Sequence, residues 1–339
     1  MRVAVLGAGA IGAYVGAALA RGGADVHLIA RGAHLEAMRT DGVRVLSDRG
    51  DFTVSVPATD DPAEVGAVDV VFLGIKAYGY ADAGPLLAPL LAEHTAVVAA
   101  QNGVPWWYFH GAGGHFEGRR IEAVDPGGSV SAVISPERAI GCVVYSSTAI
   151  EGPGVIRHYE GTRFSVGEPD RSISQRCVAF AEAMKAGGLK CPVESGLRAD
   201  IWIKLMGNAV FNPLSVVTRA TMEQMCGHGG TRDLARGVME EIVAVAGALG
   251  EVVDVSIDRR IAGAERVGAH KTSMLQDYEA GKRLELDAIV AAVVELAELV
   301  GVDAPRLRDL HATTDLLARS TTEGTNARHA DQDDVRPSI

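Results

Sequence analysis

Cysteine is scarce in this sequence, with four residues in 339, and no two of them form a CxxC pair. Because Cys142, Cys177, Cys191 and Cys226 are scattered, neither a disulfide framework nor a zinc site is indicated, and we expect reduced, structural thiols. The ten histidines form no HExxH motif and no paired Cys/His spacing. We therefore expect no metal site.

Positive charge and long apolar runs are also scarce. The 32 Lys and Arg residues against 43 Asp and Glu residues give a net charge of −11, which argues against a nucleic-acid partner. No apolar run approaches the roughly 20 residues that a membrane span requires. The N-terminus enters a strand pattern without a signal peptide. We therefore expect a cytoplasmic protein with no membrane partner.

Glycine is abundant, with 40 residues, and apolar residues make up 47% of the chain, as in a soluble α/β protein with tight turns. Over the first hundred residues short apolar runs alternate with helical patterns, which predicts a doubly wound, Rossmann-type sheet. The predicted strands are 2–6, 25–31, 68–76 and 95–103. The stretch 7–23 is predicted to be a glycine turn followed by a helix, and further helices are predicted at 32–42 and 80–92.

The pattern changes twice in the rest of the chain. Between 119 and 168, short β-like runs broken by Gly and Pro predict antiparallel strands, followed by a helix at 172–187 and a strand at 189–195. Helical spacing then dominates. We predict a cofactor-binding domain (1–195), an all-helical second domain (196–319) and a disordered polar tail (320–339). The predicted second-domain helices are 197–211, 232–249, 257–267 and 285–300.

A glycine pattern stands between the first predicted strand and helix. Gly7 allows a tight turn, Gly9 lets the backbone approach a pyrophosphate, and Gly12 lets helix and strand pack closely. Ala10 and Ile11 begin the helix, whose N-terminal N–H groups can bind phosphate. This context predicts a dinucleotide site.

Residues after the next strands indicate which dinucleotide. An NAD site usually has Asp or Glu after the second strand, but here Arg31 occupies that place, and its five-donor fork suits a 2′-phosphate. We therefore predict NADP(H); the alternative is a solvated surface arginine. Lys76 and Asn102 follow later strands, where an open α/β sheet binds its ligand. Lys76 either contacts cofactor or substrate or is merely exposed, and Asn102 could orient nicotinamide or substrate.

The stretch "DIWIKLMGNAVFNPL" places Lys204, Asn208 and Asn212 four residues apart on one predicted helix. Residues at this spacing share a face, and an unpaired buried polar group costs about 1–3 kcal/mol. A solvated face is the alternative, but two amides have poor helix propensity. The stripe therefore favours a site.

A second polar cluster lies in "HKTSMLQDYEAGKRLELDAI", where Ser273, Asp277, Glu285 and Asp287 surround Gly281. Glu285 stands just before an apolar helical run. By itself, this position favours a carboxylate that complements the helix dipole.

Taken together, several motifs resemble the ketopantoate reductase (2-dehydropantoate 2-reductase) family from residue 1 to about 318. They are the glycine turn with Arg31, Lys76, "QNG" at 101–103, "WIKLMGNAVFNPL" and "TSMLQDYEAGKRLELD". The resemblance implies a Rossmann-type domain, a helical domain like that of 6-phosphogluconate dehydrogenase, and NADPH-dependent reduction of ketopantoate to pantoate in pantothenate biosynthesis.

The resemblance also implies roles for individual residues. Lys204 corresponds to the family's catalytic lysine, and Glu285 to the acidic residue on the substrate hydroxyl side. Ser273 corresponds to the serine at the substrate carboxylate. The implied substrate-pocket asparagines are Asn102, Asn208 and Asn212, and the implied cofactor contacts are Gly7, Gly9, Gly12, Arg31 and Lys76.

The chemistry of the implied reaction explains why a lysine is needed. Hydride addition to a carbonyl carbon creates an oxyanion that needs a proton and a positive charge, and an ammonium supplies both. Burial lowers the pKa of an ammonium group, which improves it as a general acid. Asn208 and Asn212 would position Lys204 and the substrate.

Two departures from the family pattern leave alternatives open. The segment after "QNG" is longer and more aromatic than usual, and Trp106, Trp107, Tyr108 and Phe109 could be core or a lid. As a lid they would imply a bulkier 2-oxo acid. Gly79 replaces a polar residue often seen after the lysine strand.

Two other functions remain as alternatives to ketopantoate reduction. One is a related dehydrogenase acting on another hydroxy compound, and the other is a non-catalytic NADP(H)-binding regulator. The partner is in each case a small molecule. The helical domain is of a kind that commonly supplies a dimer surface, so a homodimer is the alternative to a monomer.

Overall fold

The computed structural model describes the backbone of residues 1–333 and the side chains of residues 1–321. The chain divides into two compact units, Met1–Asp200 and Ile201–Ile339. The division falls inside a helix, a few residues after the predicted boundary at 195. The first unit is built on a sheet, and the second is helical over its described residues.

The first unit contains one nine-stranded mixed sheet, whose order is β4-β3-β9-β8-β7-β6-β1-β2-β5. The pairs from β5 through β2, β1, β6 and β7 to β8 are all parallel, which is the buried arrangement that βαβ crossovers produce. The strands are β1 Arg2–Leu6, β2 Asp25–Ile29, β3 Val43–Ser47, β4 Phe52–Val54, β5 Ala58–Thr59, β6 Val70–Leu73, β7 Ala96–Ala99, β8 Ala139–Gly152 and β9 Val155–Gly167.

Five helices accompany this sheet. The strands β1, β6 and β7 are almost completely buried, as expected for parallel strands with helices on both faces. The helices are α1 Ala10–Arg21, α2 Gly32–Asp41, α3 Gly84–Leu87, α4 Ser129–Val133 and α5 Gln175–Ala186. The apolar residues of α1, α2 and α5 share one core with inward side chains of the sheet.

At the end of the sheet opposite β5, β8 and β9 form a long antiparallel hairpin. Strand β3 pairs parallel to β9, and β4 pairs antiparallel to β3. The hairpin thus adds an antiparallel extension to the parallel layer.

The second unit consists of helices, several of which begin at a side chain that caps the helix N-terminus. Thr221 and Gln224 form a capping box at α7, and Ser256 and Thr272 cap α9 and α10 through their hydroxyl oxygens. The helices are α6 Leu197–Thr218, α7 Met222–Gly227, α8 Gly229–Ala248, α9 Ile257–Arg266, α10 Ser273–Glu279, α11 Ala292–Val300 and α12 Pro305–Asp333. A π-helical segment, Asp287–Ala291, leads directly into α11.

The predicted fold class, a Rossmann-type sheet domain followed by a helical domain, is confirmed. Several element predictions are wrong. The helix predicted at 80–92 is a series of short turns around α3, because Pro85 and Pro89 lack the N–H that a continuous helix requires. The runs between 119 and 134 are turns and α4. The predicted strand 189–195 makes only isolated bridges to β9, at Lys190 and Val193.

The predicted tail at 320–339 differs from the structure in part. Helix α12 continues to Asp333, and no proline interrupts its hydrogen bonding between Pro305 and that residue. The remaining predicted tail, 334–339, lies outside the described residues. No helix in the described part of the chain has the length and apolarity to cross a membrane.

Candidate active site

The first unit gathers the predicted cofactor residues at one edge of its sheet. Leu6 at the end of β1 pairs with Ile29 of β2 and with Leu73 of β6, and Leu73 pairs with Ala99 of β7. The four strands therefore end level with one another. The residues that leave them are Gly7, Arg31, Lys76 and Asn102, each within three residues of its strand end. This carboxyl edge is where open α/β sheets bind ligands.

Close backbone packing forms the glycine turn. Gly7 has φ +89°, and its N–H donates to the Ile29 carbonyl (3.1 Å). A Cβ at Gly12 would lie 2.2 Å from the Gly7 oxygen, so any side chain there would push α1 away from β1. A Cβ at Gly74 would approach the same oxygen to 2.3 Å. Gly74, which follows β6, is thus a part of the turn that the sequence analysis missed.

Gly9 differs from its neighbours in the turn. A Cβ added to Gly9 would meet nothing within 4 Å, and its backbone has φ −75°, which any residue can adopt. The fold therefore does not require glycine at this position. The space beside Gly9 is open and lies at the N-terminus of α1, where unpaired N–H groups favour an anion. Ala10 and Ile11 are the first two residues of α1, and both are half-buried.

His34 on α2 fixes the middle of the glycine turn. Its Nε2 lies 3.0 Å from the Ala8 carbonyl, and its Nδ1 accepts from the Gly154 N–H at 3.0 Å. These contacts require a neutral ring with the proton on Nε2. Burial lowers the pKa of His34, and this shift favours the same neutral form. The hydrogen bond to Ala8 opposes the shift in part. The sequence analysis missed His34, since nothing local marks a contact to Ala8.

The three other predicted cofactor residues are accessible to different extents. Arg31 is exposed at the N-cap of α2, and its side chain makes no hydrogen bond or ion pair with another described residue. Lys76 and Asn102 are half-buried, and Asn102 precedes Gly103, whose φ of +90° turns the chain after β7. An exposed guanidinium after β2 is available for a phosphate group.

The aromatic segment belongs to the core of the first unit. Trp106, Trp107, Tyr108 and Phe109 are each only 1–4% exposed. Trp106 donates from its indole nitrogen to the Ile134 carbonyl (3.0 Å), and Arg198 donates to the Tyr108 carbonyl (2.8 Å). The sequence left open whether this segment packs in the core or forms a lid. The structure supports packing in the core and excludes the lid.

In the second unit, α6 carries the predicted polar stripe. Lys204 and Asn208 are half-buried, and Asn212 is 5% exposed. The amide nitrogen of Asn212 is buried and has no hydrogen-bond partner among the described residues. Leaving such a donor unsatisfied costs about 1–3 kcal/mol. A buried, unsatisfied donor on this face makes Asn212 a candidate contact for a ligand that accepts a hydrogen bond.

Helix α10 begins against the same stretch of α6. The Ser215 hydroxyl donates to the Asn212 carbonyl at 2.7 Å and lies 2.6 Å from the hydroxyl of Thr272. Thr272 caps α10 by accepting from the Leu275 N–H at 3.1 Å. Ser273 is therefore held as the first residue of α10, near the turn of α6 that contains Asn212. The structure thus links the start of α10 to the turn of α6 that contains Asn212 through Ser215 and Thr272, and the side chain of Ser273 is exposed.

Glu285 is placed by the turn after α10. It is 7% exposed and lies between the buried Leu284 and Leu286, two residues before the π-helical segment. Its carbonyl accepts from the Ile289 N–H at 3.2 Å. A buried carboxylate and a π-helical turn both occur often at functional sites. Its role on the substrate hydroxyl side stays a prediction.

Metal-binding clusters of three or more His, Cys, Asp or Glu residues do not occur among the described residues. The four cysteines are free and buried. The described site therefore offers amine, amide, hydroxyl and carboxylate groups. These groups suit proton transfer and the binding of an anionic carbonyl compound.

Comparison with known proteins gives two family matches. Residues 3–108 match the profile of the family described as ketopantoate reductase PanE/ApbA. Residues 196–318 match the profile described as ketopantoate reductase PanE/ApbA C terminal. The two profiles together cover more than half of the chain.

Individual relatives match over most of their length. A 2-dehydropantoate 2-reductase of Mesorhizobium japonicum is 47% identical, covering 94% of this chain and 98% of the relative. A 2-dehydropantoate 2-reductase of Archaeoglobus fulgidus is 30% identical, covering 91% and 95%. The crystal structure of 2-dehydropantoate 2-reductase from Geobacter metallireducens superposes with a TM-score of 0.82 at 28% identity, covering 94% and 100%.

Proposed function

The chain belongs to the ketopantoate reductase family, and from this premise we propose that it reduces ketopantoate to pantoate with NADPH. It is an oxidoreductase that acts on a CH–OH group. The observation that carries the proposal is the polar stripe of α6, where Lys204 and Asn208 accompany the unsatisfied amide of Asn212. Such a stripe suits a polar substrate better than a structural role.

The carboxyl edge of the first unit fits a dinucleotide. The open space at Gly9 would receive the pyrophosphate, and the N–H groups at the start of α1 would bind it. Arg31 would bind the 2′-phosphate that distinguishes NADP(H) from NAD(H). Lys76 and Asn102, at the same edge, would contact the nicotinamide half or the substrate. When bound, the reduced nicotinamide supplies the hydride.

Lys204 is the proposed proton donor. As the carbonyl carbon of the 2-oxo acid accepts hydride, its oxygen gains negative charge, and the ammonium both stabilises that charge and transfers a proton to it. Asn208 and Asn212 would hold Lys204 and the substrate, so that little reorientation is needed in the transition state. Glu285 would accept a hydrogen bond from the new hydroxyl, and Ser273 would donate to the carboxylate.

The position of the aromatic segment bears on the choice of substrate. A lid of Trp106–Phe109 was the reason to consider a bulkier 2-oxo acid. Because these side chains pack in the core of the first unit, that reason no longer applies. Ketopantoate is therefore the preferred substrate, and bulkier 2-oxo acids remain the alternative.

The test is a spectrophotometric assay of NADPH oxidation with ketopantoate and a series of bulkier 2-oxo acids. We expect the highest kcat/KM with ketopantoate. We also expect Lys204→Ala to lower kcat by about 10²-fold or more, since it removes both the proton and the charge. Lys185→Ala is the matched control, because Lys185 is an exposed lysine in the last turn of α5.

Each alternative has its own signature in this assay. Faster turnover of a bulkier 2-oxo acid would show that this acid, and not ketopantoate, is the preferred substrate. NADPH binding without turnover of any 2-oxo acid would favour a regulator. A Lys204→Ala variant with wild-type kcat would show that Lys204 is not the proton donor.

A further inference from the structure

Helix α6 is interrupted by a proline at the turn that contains Asn212. Pro213 lies inside the helix, and because it has no backbone N–H, it donates no hydrogen bond to the carbonyl of Ala209 four residues earlier. A proline also disfavours the helical conformation of the residue before it, which here is Asn212. The backbone of α6 alone therefore holds Asn212 less firmly than the residues of its uninterrupted turns.

Two buried hydroxyl groups lie at this turn. The Oγ of Ser215 is 2.7 Å from the Asn212 carbonyl and 2.6 Å from the Oγ1 of Thr272. Thr272 in turn accepts from the Leu275 N–H at 3.1 Å. Ser215 is completely buried, and Thr272 is 7% exposed. Water therefore has little access to either hydroxyl, and each depends on its protein partners for hydrogen bonds.

The partners fix the direction of every hydrogen bond in this chain. A hydroxyl group has one hydrogen to donate, and a carbonyl oxygen only accepts. The Ser215 hydrogen therefore points to the Asn212 carbonyl, and the Thr272 hydrogen must point to Ser215. Thr272 keeps a lone pair for the Leu275 N–H, through which it caps α10. The chain runs without a gap from the first turn of α10 to the backbone of Asn212.

A buried hydroxyl on another helix has no such link. Thr314 of α12 is also completely buried, and its hydroxyl donates to the Leu310 carbonyl of the same helix at 2.7 Å. It makes no hydrogen bond to a second helix in the described part of the chain. A bond to its own helix is thus enough to satisfy a buried hydroxyl as donor. The bond between Ser215 and Thr272 goes beyond that need and ties two helices together.

The side chain of Asn212 depends on this link. Its amide nitrogen is buried and has no hydrogen-bond partner among the described residues, so no bond from that nitrogen fixes the direction of the amide. The direction is set instead by how the backbone of Asn212 is held. The Ser215 hydroxyl is the side-chain group that bonds to that backbone.

We propose that Ser215 and Thr272 are positioning residues of the substrate site, which hold the amide of Asn212 in the direction that a bound 2-oxo acid requires. The proposal rests on the reductase function proposed above, in which Asn212 contacts the substrate. The link offsets the N–H that Pro213 lacks and ties this turn to the capped start of α10. The substrate then meets a donor that is already oriented, so less freedom is lost on binding.

The first test removes the link from each end. Ser215→Ala deletes the hydroxyl on α6, and Thr272→Val replaces the hydroxyl on α10 by a methyl group. We expect both to raise the KM for ketopantoate about 3- to 10-fold, the effect of one weakened hydrogen bond. The kcat should stay within about twofold, because a group that binds substrate and transition state alike acts on KM. NADPH affinity should not change.

Two further variants separate positioning from stability. Thr272→Ser keeps the hydroxyl and should show the wild-type KM. Thr314→Val is the matched control, because it removes a buried hydroxyl that links no second helix. We expect it to lower the melting temperature about as much as Ser215→Ala and to leave the KM unchanged. An increase in KM as large as that of Ser215→Ala would reduce the effect to lost stability and overturn the proposal.

A double-mutant cycle tests whether Ser215 acts through Asn212. Asn212→Ala should raise the KM by itself, and Ser215→Ala should add almost nothing to it, since the amide that the hydroxyl positions is then absent. If the two substitutions multiply as independent effects, or if Ser215→Ala leaves the KM of an active reductase unchanged, the positioning role is refuted and the reductase function stands.

Crystal structures of the ligand-free wild type and of Ser215→Ala decide the matter without any substrate. We expect one orientation of the Asn212 amide in the wild type, and a turned amide or several orientations in Ser215→Ala. The same single orientation in both would refute positioning even in an enzyme that reduces ketopantoate. A changed orientation would support it even if another compound proves to be the substrate.

Discussion

The substitution Gly9→Ala separates cofactor binding from folding. A methyl group at Gly9 meets no atom within 4 Å, and the φ of −75° suits alanine, so the fold accepts it without a clash. Alanine is a poorer N-cap than glycine by up to about 1 kcal/mol. It also restricts the unfolded chain, which stabilises the folded state by about 0.4–1 kcal/mol. The two effects nearly cancel, and we expect little change in the free energy of unfolding.

The expected effect on the cofactor is much larger. The methyl group would occupy the space into which the pyrophosphate is proposed to fit, and it would lengthen hydrogen bonds to a charged group. Losing one such bond costs about 1.5–3 kcal/mol. Because about 1.4 kcal/mol corresponds to a factor of ten, NADPH affinity should fall roughly 10- to 100-fold.

Gly12→Ala provides the comparison. Its Cβ would lie 2.2 Å from the Gly7 oxygen, a backbone atom that cannot move aside without shifting α1. Overpacking of this kind costs about 1–3 kcal/mol or more. We therefore expect Gly12→Ala to lower the melting temperature while Gly9→Ala leaves it nearly unchanged.

Two measurements decide the matter, namely fluorescence titration with NADPH and thermal unfolding of the ligand-free enzyme. Wild-type NADPH affinity in Gly9→Ala would show that the pyrophosphate does not approach this residue. A strongly lowered melting temperature in Gly9→Ala would refute the inference that the space beside it is open.

Three further predictions concern cofactor choice, pH and thiol reactivity. Arg31→Ala should raise the KM for NADPH far more than that for NADH, and equal effects would exclude a phosphate contact. Because burial lowers the pKa of His34, the unfolded chain binds more protons than the folded one as pH falls below about 6.5, so stability should decrease there. Denaturant titrations across this range should show a shallower loss in His34→Gln, and an identical pH dependence would exclude His34 as a source. Burial raises the pKa of Cys177 and Cys191 to about 12, so both should resist Ellman's reagent until the protein unfolds; rapid labelling of the native enzyme would contradict this.

The sequence determined the elements whose signal is local. The strands β1, β2, β6 and β7 are short apolar runs followed by turn residues, and the glycine turn has the spacing that the strand-to-helix connection demands. The stripe on α6 follows from helical periodicity alone. Where local signals conflict, as at Pro85 and Pro89, periodicity suggested a helix that the missing N–H groups forbid.

The tertiary structure decided which distant residues meet. Sequence patterns could not tell whether the aromatic segment is core or lid, because burial depends on what packs against it. Likewise, Gly74 closes on Gly7, His34 holds Ala8, and Thr272 bonds to Ser215 only because separate strands and helices come together. Periodicity assigns a residue to a face of its own element. The partner of that face is set by packing between elements, which no local pattern in the sequence reports.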